Sequence, residues 1–292
     1  MIQRLVIIGV GLIGGSLALA LKAAGQVNVV VGTGRNEDNL KQAESLGIVD
    51  EWTTDASEAV KDADVVVLAV PMGAYAVVLE AISPVLKQGA IVTDAGSTKQ
   101  YALTSAQVLP EGIHFVAAHP LAGTEKSGAG AAFKTLYQDH LCILTADEHT
   151  NTDALAVVQE MWQSAGAQVL KMDAKEHDEL LASVSHLPHL AAFALVNAVN
   201  RQKTESFDPF AFAAGGFRDF TRIASSSPTM WRDIAVANRQ AMLKQIENFQ
   251  AELNTMKQAL ENDDADSLLQ QFSSAKHARD EWLLSKGEGE ES

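Results

Sequence analysis

Four short blocks of this chain carry polar residues that core packing does not require. They are "DAGSTK" at Asp94–Lys99, "HPLAGTEKSG" at His119–Gly128, "SHLPH" at Ser185–His189 and "GGFRDFTRIASSSPTMWRD" at Gly215–Asp233. A histidine exchanges protons near neutral pH, so His119 is a candidate base or hydrogen-bond acceptor. Ser97 is a hydroxyl that could fix its geometry. Arginine grips carboxylates through a planar fork of donors, which makes the last block, with Arg218, Arg222 and Arg232, a candidate anion site. His186 and His189 stand three apart and so share one helical face. A metal would need further ligands at suitable spacing, and none is evident, so no metal is expected.

A different chemistry opens the chain. "LVIIGVGLIGGSLALALKAAG" reads as a strand, a glycine turn and a helix, with Gly9-x-Gly11-x-x-Gly14 at the junction. Gly9 permits the tight turn, Gly11 lets backbone approach a pyrophosphate, and Gly14 allows close packing of helix on sheet. The helix N-terminus then offers free N–H groups and a positive dipole end to the phosphates. Leu12 and Ile13 beside the turn, with Val70 and Pro71 after "VVVLA", join the expected cofactor contacts. Sites that prefer NAD usually place an acid at the end of the second strand to hold the ribose hydroxyls. Here "VVVGTGRN" puts Gly34 at that position and Arg35 after it, which makes room for a 2′-phosphate and supplies a guanidinium to bind it. NADP is therefore the expected cofactor, with NAD as the alternative.

The elements that must position these blocks come in two sorts. Over the first 170 or so residues, short β-branched runs alternate with helical patterns, the signature of an α/β fold with a parallel sheet. Strands are expected at 5–9, 27–32, 64–70, 90–94, 114–118, 141–145 and 167–172, and helices at 14–24, 37–46 and 153–165. After Met172 no strand run recurs. A long apolar helix interrupted by Pro188 is expected, then a glycine and aromatic loop, then helices over about 233–260 and 264–284. The division expected is a dinucleotide-binding Rossmann-type domain over 1–171, an all-helical domain over 172–286, and a disordered tail over 287–292. "SSSP" at Ser225–Pro228 reads as a helix cap.

Composition narrows the partners. With 292 residues, 47% of them hydrophobic, the chain can bury substantial cores, and its formal charge of −15 argues against nucleic acid and anionic membrane. The lone Cys142, inside the apolar run "HLCILT", reads as core and fits a reducing cytoplasm. The opening run reads as a functional strand and turn, not a signal peptide. No stretch is expected to reach the roughly 20 apolar residues that span a bilayer.

Taken in order and at their spacing, the glycine turn and the polar blocks resemble the prephenate and arogenate dehydrogenase family of tyrosine biosynthesis, from the N-terminus to about residue 245. The resemblance implies a Rossmann domain joined to a helical dimerisation domain, a homodimer, and an active site between the two domains. It implies oxidative decarboxylation of a cyclohexadiene, with hydride transfer to a nicotinamide. In that reading His119 accepts from the substrate hydroxyl, and Ser97 fixes the geometry of histidine, hydroxyl or nicotinamide. Arg222 and His189 bind the carboxylates, Thr124 and Glu125 border the site, and Asp219 orients or neutralises a neighbouring cation. Prephenate and arogenate differ only by a keto or an amino group, and both stay open as substrates. Two rivals are weighed beside this reading. A β-hydroxyacid dehydrogenase would carry a lysine followed four residues later by asparagine on its first interdomain helix, where this chain has "SHLPHLAAF". A nucleotide-sensing module would keep the glycine turn but have no need of Ser97, His119 and Arg222 together.

Overall fold

The strands are β1 (Ile2–Ile8), β2 (Val27–Thr33), β3 (Glu51–Thr53), β4 (Val65–Leu68), β5 (Ile91–Asp94), β6 (His114–Pro120), β7 (Leu141–Thr145) and β8 (Gln168–Met172). They form one eight-stranded sheet in the order β3-β2-β1-β4-β5-β6-β7-β8 in the computed structural model, which describes residues 1–124 and 126–286. The expected tail at 287–292 and the site residue Glu125 lie outside the described residues. Reversal of strand order about β1 is the doubly wound arrangement, which opens a crevice at the carboxyl ends of the strands. Alternate residues serve opposite faces: Leu5, Ile7, Val65 and Val67 enter one core, and Val6, Ile8, Val66 and Leu68 enter the other.

The helices over this region are α1 (Leu12–Ala23), α2 (Glu37–Ser45), α3 (Ala56–Ala59), α4 (Tyr75–Ile82), α5 (Lys99–Ala106) and α6 (Thr152–Ser164). All strand pairings are parallel except β6 with β7, which is antiparallel and sets His119 opposite Ile143. The expected parallel sheet holds at every other pairing, and β6 with β7 is its one antiparallel exception among the described residues. The chain from β6 to β7 passes without an α-helical crossover, so it returns in the opposite direction. The three-residue edge strand β3 was also not anticipated.

Beyond β8 the chain is helical: α7 (Ala174–Leu181), α8 (Leu187–Asn200), α9 (Gly215–Thr221), α10 (Pro228–Ala237), α11 (Arg239–Glu261) and α12 (Ala265–Ser285). Between α7 and α8, residues Ala182–His186 form a π turn. Pro188 lacks an N–H and its ring crowds the carbonyl four residues back, so the helix widens just before it instead of breaking at it. The expected glycine and aromatic loop contains α9 and two 3₁₀ turns, and the helix expected over 233–260 is divided at Asn238 into α10 and α11. Ser227 caps α10 by accepting from Met230 N, as "SSSP" implied.

One further correction concerns hydropathy. Ala174–Asn200 is 27 residues long with mean hydropathy 1.3, enough by length and composition alone to cross a membrane. It carries His177 and Asp178 buried against the sheet domain, which marks it as a helix of the site. Two compact units emerge, Met1–Met242 and the segment beginning at Leu243. The first holds the sheet together with α7 to α10 and every site residue discussed below. In the second, Phe249, Leu253, Leu260, Leu269, Phe272 and Trp282 are exposed.

Candidate active site

The glycine turn has the backbone geometry its spacing implies. Gly9 has φ of 100°, and a Cβ there would lie 2.5 Å from Ala69 O. A Cβ on Gly14 would meet Ile7 Cγ2 at 2.5 Å, so only glycine lets α1 sit this close to β1. At Gly11 nothing lies within 4 Å of an added Cβ, which leaves a bare backbone surface at the N-cap of α1. The first turn of α1 holds no acidic side chain, so its dipole end is uncompensated. These features fit a dinucleotide pyrophosphate. Val70 abuts the turn, its Cγ1 2.9 Å from a Cβ built on Gly9, and Pro71 is exposed beside it. Leu12 is buried and Ile13 accepts from the Tyr137 hydroxyl at 2.6 Å. Asn39 was not singled out in the sequence. Its amide donates to Val10 O at 2.7 Å and accepts from Ala129 N at 2.9 Å, fastening the turn to the loop after β6.

At the end of β2, Gly34 has open space where a side chain would be, and Arg35 is exposed next to it. Among the described residues Arg35 makes no ion pair.

The neighbouring ends of β5 and β6 are tied by a buried ion pair. Lys99 Nζ donates to Asp94 Oδ2 at 2.6 Å and to Ala118 O at 2.5 Å, and both Lys99 and Asp94 are fully buried. Asp94 also accepts from Tyr75 Oη, Gly96 N and Ala118 N at 2.9–3.0 Å, so its carboxylate is saturated. This pair holds Ser97, half-buried after β5, and His119, next to Ala118 on β6, at adjacent strand ends.

His119 does not bond to Ser97 in this structure. Its Nδ1 faces His177 Nε2 at 2.8 Å, and His177 Nδ1 faces Asp178 Oδ1 at 2.8 Å. Asp178 in turn accepts from the backbone N–H groups of Lys99 and Gln100 at 2.7 and 3.0 Å. Burial pushes His119 well below the usual histidine pKa, and the charges of His177, Lys99 and His186 push the same way, so it stays neutral. Burial also lowers His177, against the pull of Asp178. Burial works to raise Asp178, but the bonds from His177, Lys99 and Gln100 outweigh it and keep the carboxyl below its usual value. His177 and Asp178 were missed in the sequence. The available signal was a His-Asp pair sharing the buried face of α7 with Leu181.

On α8 and the elements packed against it the remaining residues gather. His189 stacks on Trp231 at 3.7 Å between ring centroids, and its Nδ1 donates to Ser185 O at 3.0 Å. Burial lowers the His189 pKa, and the nearby Arg222 charge adds to that shift. Asn238 Nδ2 donates both to Asp178 O at 2.8 Å and to His186 Nδ1 at 3.2 Å, linking this cluster to the His119 relay. Trp231 and Asn238 were likewise not anticipated. Arg218 pairs with Asp219 and Arg232 with Asp233, while Arg222, exposed at the start of a 3₁₀ turn, has no ion pair among the described residues. Thr124 is exposed in the loop after β6, where it accepts from Lys126 N. No metal-binding group of His, Cys, Asp or Glu occurs among the described residues.

A glycine turn opening a helix at the carboxyl edge of a doubly wound sheet, with a buried neutral histidine at the carboxyl end of another strand of that sheet, is the arrangement of a dinucleotide-dependent oxidoreductase. Comparison with known proteins narrows the class. Residues 17–171 match the family described as prephenate dehydrogenase, nucleotide-binding domain, and residues 173–274 match prephenate dehydrogenase, dimerization domain. The chain is 39% identical over 279 residues to a cyclohexadienyl dehydrogenase of Zymomonas mobilis, covering 95% of each protein. Among solved structures it is similar to prephenate dehydrogenase from A. aeolicus in complex with hydroxyphenyl propionate and NAD+, at 36% identity and a TM-score of 0.90, covering 96% of this chain and 98% of the other. It is also similar to a Synechocystis arogenate dehydrogenase, at 28% identity and a TM-score of 0.79, covering 96% and 100% of the two chains. The chain belongs to the prephenate dehydrogenase family.

Proposed function

We propose that this enzyme oxidatively decarboxylates prephenate, arogenate or both, giving 4-hydroxyphenylpyruvate or tyrosine, with NADP preferred over NAD. The observation that carries the reading is His119: a histidine buried and kept neutral at the carboxyl end of β6, in a chain whose relatives are dehydrogenases of these substrates. When bound, the nicotinamide supplies the hydride acceptor. His119 accepts the proton of the ring hydroxyl as the carbon–oxygen bond gains carbonyl character, and Ser97 orients the same hydroxyl from the neighbouring strand end. Arg222 and His189 hold the carboxylates, with Thr124 and Glu125 at the border of the site and Asp219 tempering the charge of Arg218.

Gly9, Gly11, Leu12, Ile13, Gly14, Val70 and Pro71 cradle the dinucleotide. The open space at Gly34 and the exposed Arg35 support room and charge for a 2′-phosphate. Residues 1–171 serve the cofactor and 172–286 the substrate and assembly. The dimerisation-domain match and the exposed apolar side chains of α11 and α12 support a homodimer. The lone buried cysteine supports a cytoplasmic protein. A two-by-two rate assay at the reduced-nicotinamide absorbance band, crossing both substrates with NAD and NADP, tests the reading with His119→Asn as blank. NADP-linked turnover that the variant abolishes is expected. Turnover with NAD alone would refute the role of Arg35, and no turnover in any cell would refute the function.

A further inference from the structure

The proposed function gives His177 and Asp178 no role, yet their geometry determines what His119 can do. Asp178 takes hydrogen bonds from three N–H groups of Lys99 and Gln100, two backbone and one side-chain, at 2.7–3.3 Å. Three donors spread over both oxygens favour the ionised, acceptor-only carboxylate, and the same bonds hold the Asp178 carboxyl below its usual range. The His177 nitrogen that faces Asp178, Nδ1, must therefore carry its hydrogen. In a neutral ring that leaves His177 Nε2 as a lone pair, and the atom 2.8 Å from it, His119 Nδ1, must then be the donor. By the same logic His119 Nε2 is a bare acceptor, and no hydrogen bond occupies it among the described residues.

We propose that His177, backed by Asp178, is the positioning residue that locks His119 in the Nδ1–H tautomer and shares the positive charge it gains during turnover. The inference rests on His119 as the acceptor of the substrate hydroxyl proton. In the forward step the O–H bond breaks, its proton goes to His119 Nε2, and its electron pair becomes the second carbon–oxygen bond. The geminal hydrogen leaves with its own pair as hydride, for which a nicotinamide held at the glycine turn would be the acceptor. The ring carboxylate then departs as CO2, leaving its bonding pair to complete the aromatic ring, and the oxygen becomes a phenolate. His119 Nε2 returns the proton to that oxygen, so the proton is borrowed and none is consumed. While His119 holds it, the imidazolium Nδ1–H points at the His177 lone pair, with the Asp178 anion behind. The relay places a negative charge two bonds of hydrogen away from the developing positive one, without putting a carboxylate in contact with an anionic substrate.

A longer chain supports a distinct structural component: Asn238 donates to Asp178 O as well, so Asp178 also helps to hold α7 to α10. The test therefore has to separate tautomer control from packing. His177→Leu removes the acceptor, and His177→Gln restores one, its Oε1 reaching the place of Nε2. The tautomer of His119 is read in each holoenzyme by nitrogen-15 chemical shifts of labelled histidine, and steady-state kinetics are measured beside it. The wild-type and Gln proteins are expected to show His119 Nε2 unprotonated. The Leu protein is expected to show a mixture or the Nε2–H form, with kcat reduced roughly 100-fold or more and KM changed less than about threefold. Gln should recover at least a tenfold share of that loss. If His119 keeps Nδ1–H in His177→Leu, or if Leu and Gln fall equally in kcat, the proposal is overturned. Should His177→Leu fail to fold, the Gln protein alone decides it, by the presence or absence of the Nδ1–H tautomer. Because the tautomer is read without turnover, its loss is separable from failure of the substrate assignment.

Discussion

Lys99→Met is the perturbation that most directly weighs the tie between the carboxyl ends of β5 and β6. Methionine keeps the length and most of the volume of the lysine stem, so packing changes little and the charge is what disappears. What remains is the Asp94 carboxylate, fully buried, 2.6 Å from where the ammonium stood. Breaking a buried pair by removing one partner costs about 3–5 kcal/mol, because an uncompensated charge is left inside. Tyr75 Oη, Gly96 N and Ala118 N still donate to that carboxylate at 2.9–3.0 Å, so the cost should fall near the low end, about 3 kcal/mol. For a chain of this size that corresponds to roughly 6–12 °C in melting temperature. Urea unfolding followed by tryptophan fluorescence and far-ultraviolet dichroism would measure it, with a parallel thermal scan. The same substitution removes the donor to Ala118 O, one residue before His119, so kcat should fall even at a temperature where the variant is fully folded. A variant within about 1 kcal/mol of wild type would show that the pair contributes no more than a surface ion pair, and the argument for a strand-end clamp would be wrong.

Other consequences can be checked independently. Gly11→Ala should fold normally, since nothing lies within 4 Å of the new Cβ, yet bind cofactor more weakly in a fluorescence titration; Gly14→Ala should lose about 1–3 kcal/mol of stability, because its Cβ would meet Ile7 at 2.5 Å. His186 has a folded pKa of about 4, below the usual histidine value, chiefly through burial. The unfolded chain therefore binds the proton first, and the stability held by neutral His186 is complete above about pH 6.5 and lost as the pH falls towards 4, by roughly 3 kcal/mol. Urea midpoints across that window should fall with pH, and His186→Asn should flatten the slope. Arg222→Lys keeps the charge but not the planar fork, so KM for a carboxylate substrate should rise roughly tenfold with kcat little changed, which steady-state kinetics would read.

What could be read from sequence was whatever a local rule dictates. The glycine turn is local because each glycine answers a backbone clash or a positive φ within a few residues of itself, as Gly9 and Gly14 do. His119 was visible because the carboxyl end of a parallel strand is where such sheets place ligands. The partner of His119 was not, since His177 is 58 residues away and meets it only through the packing of α7 on α5. Strand direction was equally hidden: "HLCILT" has the same apolar run whether β7 pairs parallel or antiparallel with β6. Nor could the π turn at Ala182–His186 be foreseen from Pro188 alone, and that extra residue per turn sets the phase at which His186 and His189 meet Trp231. The helix α9 begins at two glycines, poor helix formers, and exists by packing against α8 rather than by propensity.

The two halves of the site use different physics, and the difference follows from what each must recognise. In the proposed function a pyrophosphate would be bound by backbone N–H groups and a helix dipole, so the sequence contributes by leaving side chains out, at Gly11 above all. The reacting half needs a proton acceptor of one tautomer in one orientation, which backbone cannot supply. It is built from buried ionisable side chains, Asp94, Lys99, His119, His177 and Asp178, each of which costs desolvation energy that an apolar core would not. That cost is tolerable because the group is satisfied almost internally: carboxylates take N–H donors, the lysine takes a carboxylate and a carbonyl, and each histidine hands a hydrogen to the next. His119 Nε2 is the acceptor such a network leaves over, and Arg222, in no ion pair among the described residues, is a fork of donors in the helical half. A ligand that completes both must offer a hydroxyl to one and an anion to the other, which is the polarity of a ring bearing a hydroxyl at one end and carboxylates at its far end.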